Sequence, residues 1–191
     1  MVFGTRKMLC KLQDITLSLL GKDLLPSKTA KDLGLLLDPH LLYNNLIIKT
    51  DSSCMSSLGQ IIRVKHAFDR RTLLIVMNTL VFSKLFYFSN VWPNCSKLNI
   101  DKLQSVQNFA CRIVSAIGKY DHVTPELKRL RWLTVSSQLH YGNAILAFKC
   151  MNGHAPAYLS TFFTKRCDVN RYTARNSQLL NVALLKLFLD R

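Results

Sequence analysis

Asp101-Lys-Leu-Gln-Ser-Val-Gln-Asn-Phe-Ala-Cys-Arg-Ile-Val-Ser115 reads as a helix with one apolar side. Leu103, Val106, Ala110, Ile113 and Ile117 recur at steps of three and four, which places them on one helical face. Lys119-Tyr-Asp-His-Val-Thr-Pro-Glu-Leu127 comes next, then Leu130-Arg-Trp-Leu133. Asp121 to Pro125 is a turn that ends one helix and starts another. This region therefore sets the chain among mainly helical proteins.

Outward from it, the pattern stays helical. The central helix is expected over residues 97–117, stopped by Gly118. Thr124-Pro125-Glu126 predicts a short helix to about Arg131, with Thr as the cap and Pro in the first position. Ser136 to about Met151 is another helix, closed by Asn152-Gly153. Pro156 opens a last short one through Phe163. Val182 to Leu189 reads equally as helix or strand. Towards the start, Asp69 is an N-cap for a long apolar helix to about Trp92, stopped by Pro93. Leu41 to about Lys65 is a further helix, weakened by Gly59, and Asp38-Pro39 reads as its start. Residues 1–38 predict short strands: Ile15 to Leu20, the turn Gly21-Lys22-Asp23, Leu24-Leu25, and the apolar run from Lys31 to Leu37. A β-hairpin with a third strand is the expectation there. The fold class is thus mainly α, a helical bundle with a short N-terminal β-hairpin element.

The chain has 191 residues, 49% of them hydrophobic and 19% charged, which suits a packed core and argues against disorder. Lys and Arg outnumber Asp and Glu by 26 to 11, a formal charge of +15. Such an excess points to a polyanionic partner, nucleic acid or an anionic membrane, and says nothing about fold.

Six cysteines at 10, 54, 95, 111, 150 and 167 are dispersed without a C-x-x-C pair, so no structural zinc site is indicated. Cys150 and His154 can share a helix face, but a site needs a second pair. The first 20 residues carry Arg6, Lys7, Lys11 and Asp14 and no long apolar core of signal type, so reduced thiols and an intracellular place, nucleus or cytoplasm, are expected.

Catalytic motifs are absent. There is no G-x-S-x-G, no phosphate-cradling G-x-x-x-x-G-K-[ST] and no H-E-x-x-H. No Asp-Asp or Glu-Asp dipeptide occurs. Asp32, Asp38, Asp69, Asp101 and Asp121 read as caps or surface residues, and no histidine is assigned a catalytic role.

The run from Thr72 to Trp92 holds 14 apolar residues in 21 and has Tyr87 and Trp92 near its end, which suits a membrane span. Asn78, Thr79, Ser83 and Lys84 in its middle argue against one. A central Lys costs about 2.5–3.5 kcal/mol on insertion scales. A helix buried in a bundle explains the run as well, and no membrane partner is expected.

Several blocks in order resemble the reverse transcriptases of LINE-type (non-LTR) retrotransposons, of the jockey-like kind. Met1-Val-Phe-Gly-Thr-Arg-Lys7 resembles the segment behind that family's lysine-bearing motif. Ile15 to Leu25 and Ala30-Lys-Asp-Leu-Gly-Leu-Leu-Leu-Asp-Pro-His-Leu41 resemble the hairpin and L-G-x-x-x-D block beside the palm. Ser83-Lys-Leu-Phe-Tyr-Phe-Ser-Asn-Val-Trp92 is similar to a block that usually reads S-[KR]-L-D-Y-x-N-x-x-W. Lys102 to Ile113, Tyr120-Asp-His-Val-Thr-Pro125, Trp132-Leu133, Phe148-Lys-Cys-Met-Asn-Gly-His-Ala-Pro-Ala-Tyr-Leu159 and Arg175-Asn-Ser-Gln178 resemble further blocks. There are departures: the usual Asp is Phe86, an expected H-I has become Leu46-Ile47, and no G-x-R-x-F follows residue 185.

The resemblance implies a β element from the edge of the polymerase palm over 1–38, a thumb-like helical region over 39–118 and a post-thumb helical region over 119–191. It implies a partial RNA-directed DNA polymerase without the catalytic carboxylates, inactive alone and without its own cofactor, where the parent enzyme would use Mg²⁺. The expected partners are RNA, DNA or their hybrid, and the palm and fingers that the chain lacks. A thumb grips the duplex through phosphates, so Arg63, Lys65, Arg70 and Arg71 form one expected group and Lys119, Lys128, Arg129 and Arg131 a second. Gln104, Gln107 and Asn108 line one side of the central helix, facing nucleic acid or another helix. Phe82, Phe86 and Phe88 read as core. The alternatives are a retroelement remnant that binds nothing, or a small basic membrane protein using Thr72 to Trp92.

Overall fold

The computed structural model describes residues 1–11, 16–91 and 95–163. The expected segment at 182–189, the Arg175 block and the stop at Pro93 lie outside the described residues. Among the described residues the protein is mainly helical, 59% helix against 7% strand, with two small strand pairs near the N-terminus.

The N-terminal region departs in detail from a three-stranded expectation. Arg6–Lys11 is a helix, α1. Its residues Arg, Lys, Met and Leu are good helix formers, and the Thr5 carbonyl accepts from Met8 and Leu9 N–H at 3.0 and 2.9 Å. Two separate hairpins follow, β1 (Leu17–Leu19) with β2 (Lys22–Leu24) and β3 (Ala30–Asp32) with β4 (Leu35–Leu37). Leu17 lies opposite Leu24, and Ala30 opposite Leu37. Each turn is two residues long, Leu20-Gly21 and Leu33-Gly34, with φ of 51° and 74° in the first and 45° and 85° in the second. Two positive φ values are what a tight right-twisting hairpin requires, and glycine meets that need only at the second position. The Tyr87 hydroxyl donates to the Leu33 carbonyl at 2.9 Å, tying the second hairpin to the helical part.

Helix α2 runs Asn44–Val64 and continues as a 3₁₀ turn, Lys65–Ala67. Asp38 does not cap it as expected. Its carboxylate accepts from Leu42 and Tyr43 N–H at 3.0 and 2.8 Å. That fixes a loop in which Leu41 and Tyr43 are left-handed (φ 52° and 58°), so the helix starts at Asn44 instead of Pro39. Gly59 sits inside α2 without breaking it.

The next rod is built of α3 (Arg70–Met77), a π-helical turn (Asn78–Phe82) and α4 (Ser83–Leu85). Asp69 caps it, accepting from Arg71 N–H at 3.1 Å. The rod ends at Leu85, short of Trp92. At the π turn the Thr79 hydroxyl donates to the Ile75 and Val76 carbonyls, the back-bonding that loosens helices. The Cys54 thiol donates to the Val81 carbonyl at 3.7 Å, so α2 supplies a partner where the regular ladder is widened.

Helix α5 spans Lys97–Ser115 and ends at Ala116, left-handed at φ 54°, two residues before the expected Gly118. Gly118 N–H instead donates to the Asp121 carboxylate at 2.6 Å, closing the turn towards α6 (Thr124–Arg129). Val123 occupies the cap position and Thr124 lies inside the helix, a correction to the expected Thr cap.

By compactness the chain divides into residues 1–88 with 95–132, and residues 89–94 with 133 onward. In the first unit the buried face of α2 (Ile47, Cys54, Leu58, Ile61), the rod (Leu73, Met77, Val81, Leu85) and α5 (Leu103, Val106, Ala110, Cys111) make the core. Leu103, Val106 and Ala110 are among the side chains that the three-four spacing selected, and Cys111 is a buried addition to them. A smaller cluster joins Cys111 to Val123 and Leu127, flanked by Ile117, Leu130 and Trp132. The second unit holds α7 (Val135–Met151) and α8 (Ala157–Ser160). Thr134 caps α7 by accepting from Ser137 N–H, and Asn152 with Gly153 (φ 71°) closes it as expected.

Among the described residues no helix is long and apolar enough to cross a membrane. The π turn from Asn78 to Phe82 interrupts the one rod that suggested it.

Two kinds of variant check this architecture. Ala116→Gly and Leu20→Asn relieve left-handed strain and should each raise stability by up to about 1 kcal/mol in urea unfolding. Leu103→Ala empties a fully buried position and should cost about 2–5 kcal/mol.

Candidate nucleic-acid interface

The two expected basic groups fall around two helix junctions of the first unit, α2 to α3 and α5 to α6. Arg63 lies in the last turn of α2, Lys65 in the 3₁₀ turn, and Arg70 and Arg71 in the first turn of α3. Lys119 stands in the turn after α5, Lys128 and Arg129 in the last turn of α6, and Arg131 just beyond it at φ 56°. All eight side chains are exposed. The helices explain part of this placement. Cations at the C-terminal ends of α2 and α6 face the negative pole of the helix dipole. Arg70 and Arg71 sit at the positive end of α3, where Asp69 offsets them.

The Asp69 carboxyl is held below its ordinary value, chiefly by the side-chain hydrogen bond from Thr72. It therefore stays ionised beside the two arginines down to acid pH, and its stabilising effect is lost as pH falls through that lowered value.

Local pairing leaves most of the basic groups available. Arg129 Nη2 lies 2.6 Å from Glu126 Oε2, an ion pair by distance, although Glu126 Oε2 makes no geometrically good hydrogen bond. Among the described residues this is the one carboxylate contact made by the eight cations. Lys119 lies 5.7 Å above the Tyr120 ring, a cation–π contact on an exposed surface. Exposed ammonium and guanidinium groups without carboxylate partners are what phosphate recognition uses.

The amide row on α5 is not such a surface. Gln107 is 2% exposed, and Gln104 donates to its side-chain oxygen at 3.0 Å and to that of Asn108 at 2.9 Å. The row is an internal polar lock on α5. Phe82 and Phe86 are half-buried and not in the core expected for them; they lie 5.9 Å apart, and Phe82 meets Trp132 edge-on at 4.6 Å. Phe88 is exposed and stacks edge-on against Tyr87, so its expected place in the core is corrected.

No group of three or more His, Cys, Asp or Glu side chains among the described residues could hold a metal ion. Cys150 is buried in α7, whereas His154 is exposed after it.

The sequence did not single out a polar groove along α2, whose volume is about 620 Å³. Lys49, Ser52, Ser53, Ser56 and Ser57 line it with Lys84 from α4. Lys84 Nζ donates to the Ser57 hydroxyl at 2.9 Å, and Ser57 donates to the Ser53 carbonyl at 3.1 Å. The signal was present as a three-four spacing of polar residues opposite the apolar face of α2.

No protein-family model matches the chain, no curated protein is similar to it, and no solved structure matches its fold.

Thiol chemistry checks the packing behind this face. Burial pushes the Cys54 thiol up to about 11, with Lys84 opposing and Asp51 adding to the rise. Cys10 is exposed and Cys54 buried. Iodoacetamide at pH 8 should label Cys10 in the native protein and spare Cys54 until urea unfolds the chain. A folded value above the unfolded one means full stability below pH 9 and a loss as pH rises towards 11. Urea midpoints across that range should fall for the native sequence and fall less steeply for Cys54→Ala, because burial also raises the Cys95 and Cys111 thiols.

Proposed function

We propose that the chain is the palm-edge, thumb and post-thumb part of a LINE-type reverse transcriptase, and that its own activity is non-specific binding of RNA, DNA or their hybrid through phosphates. The observation that carries the binding reading is the placement of eight exposed cations on two helix connections of one compact unit, seven of them without a carboxylate partner among the described residues. Contacts of this type give affinity without sequence preference. The ordered sequence blocks support the family.

The exposed leucines of the hairpins support the same reading. Leu20 and Leu33 are 97% and 72% exposed, and Leu24 and Leu25 are also exposed. A polymerase palm would cover apolar side chains of this kind. Catalysis of DNA synthesis is not assigned to the chain, because it has no Asp-Asp or Glu-Asp pair to hold two metal ions.

Fluorescence anisotropy with a labelled RNA–DNA hybrid tests the binding. The affinity should fall linearly with salt on logarithmic axes, with a slope of about −0.9 per phosphate contact on duplex. Changing Arg63, Lys65, Arg70 and Arg71 together to Gln should flatten that slope by up to about 3.6. A folded chain with no measurable binding would leave the remnant reading in place. In a separate assay with template–primer, Mg²⁺ and deoxynucleotides, no primer extension is expected, and extension would refute the assignment.

A further inference from the structure

We propose that the groove between α2 and α4 is a third phosphate site, which seats one strand of the nucleic acid along the side of the helices. This inference rests on the nucleic-acid reading and extends it to residues that the two basic turns do not include. Asn45, Lys49, Ser52, Ser53, Ser56 and Gln60 lie along the groove at helical steps of three and four. The groove therefore runs about four turns down one side of α2, roughly 22 Å at 1.5 Å per residue.

Its chemistry selects an anion. Hydroxyls, amides and two ammonium groups line it with one apolar side chain, Ile48, and no carboxylate does. Asp51, the one acidic residue on α2, is not among the lining residues, and the rod from Arg70 to Leu85 contains no acidic residue at all.

The Lys84 ammonium is positioned for this role. Among the described residues it donates to the Ser57 hydroxyl, a neutral group that directs the charge without cancelling it. Ser57 is buried and its own proton is committed to the Ser53 carbonyl, so its oxygen is left to accept from Lys84. That arrangement holds Lys84 over the serine row with donors to spare. The opening of the groove suits an extended occupant, and a row of neutral donors between two cations fits the repeating phosphates of a strand. Acidic protein segments and anionic lipid surfaces share the charge but not the linear repeat.

The test uses the full chain, the labelled RNA–DNA hybrid and two sets of variants. Lys49→Gln with Lys84→Gln should reduce the salt slope by about 1.8 and weaken binding about thirtyfold at 0.15 M salt. Ser52→Asp with Ser56→Asp changes two exposed residues and should weaken binding without altering the circular dichroism, which covers the case in which loss of Lys84 disturbs the fold. Acetylation footprinting by mass spectrometry should show Lys49 and Lys84 protected by the hybrid. If both sets bind as tightly as the unaltered chain while the Arg63, Lys65, Arg70 and Arg71 variant is weakened, the groove inference is overturned and the nucleic-acid reading stands. If the unaltered chain does not bind the hybrid, both fall. Protection of Lys49 and Lys84 by phosphatidylserine vesicles but not by the hybrid would also overturn the inference.

Discussion

The packing of α2 against α5 is the constraint on which the first unit depends. The two helices pack together, and their first turns are joined where Asn99 donates to Asn44 at 2.6 Å. Asn99 is buried, so this amide pair fixes the register of two apolar stripes that could otherwise slide. The fully buried Ile47, Cys54 and Leu58 on one helix, and Leu103, Val106 and Ala110 on the other, are then withdrawn from water together. At roughly 1.5–3 kcal/mol for each large apolar side chain, that burial outweighs any single surface contact in the unit. The basic connections hang from the ends of these helices, and their geometry is set by the helices more than by their own short turns.

The third rod shows what happens where local propensity and tertiary packing compete. Thr79 and Ser83 bond back to carbonyls one turn earlier, and the backbone widens into a π turn between Asn78 and Phe82. A widened turn leaves carbonyl geometry imperfect, and an unsatisfied buried carbonyl is costly. The Cys54 thiol meets the carbonyl of Val81, and one turn along α2 the Ser57 hydroxyl meets Lys84. The same two helices thus cooperate twice, once to satisfy backbone and once to hold a cation at the surface. A regular helix through 78–82 would rotate Lys84 relative to Ser57, so the widening matters for the groove as well as for the core.

Much of the architecture was legible because helices advertise one buried face. The spacing of Leu103, Val106, Ala110 and Ile113 located α5, and Asp69 located the start of α3, since an N-cap acts within three residues. Asp38 looked the same by that local rule and was not a cap. Its carboxylate was taken by Leu42 and Tyr43 N–H in a loop whose left-handed residues no propensity scale favours. Gly118 looked like a stop, yet Ala116 took the left-handed position, because the turn closes through Asp121. The exposure of the eight cations was legible from their charge. The groove was not, because it needs Lys84 from a second helix. Sequence spacing reports one helix at a time.

Phe86 stands where the sequence blocks that this segment resembles usually read Asp. It is an aromatic ring that packs on Phe82, which in turn meets Trp132. An acidic side chain at that half-buried position would have to leave water among aromatic rings and would stand two residues from Lys84, on the other side of the helix. A phenyl ring avoids that cost and adds contact area. Phe82, on which it packs, is the residue that meets Trp132 and so joins the rod to the segment after α6. Position 86 thus works in packing here, and no acidic residue stands anywhere from Arg70 to Phe86.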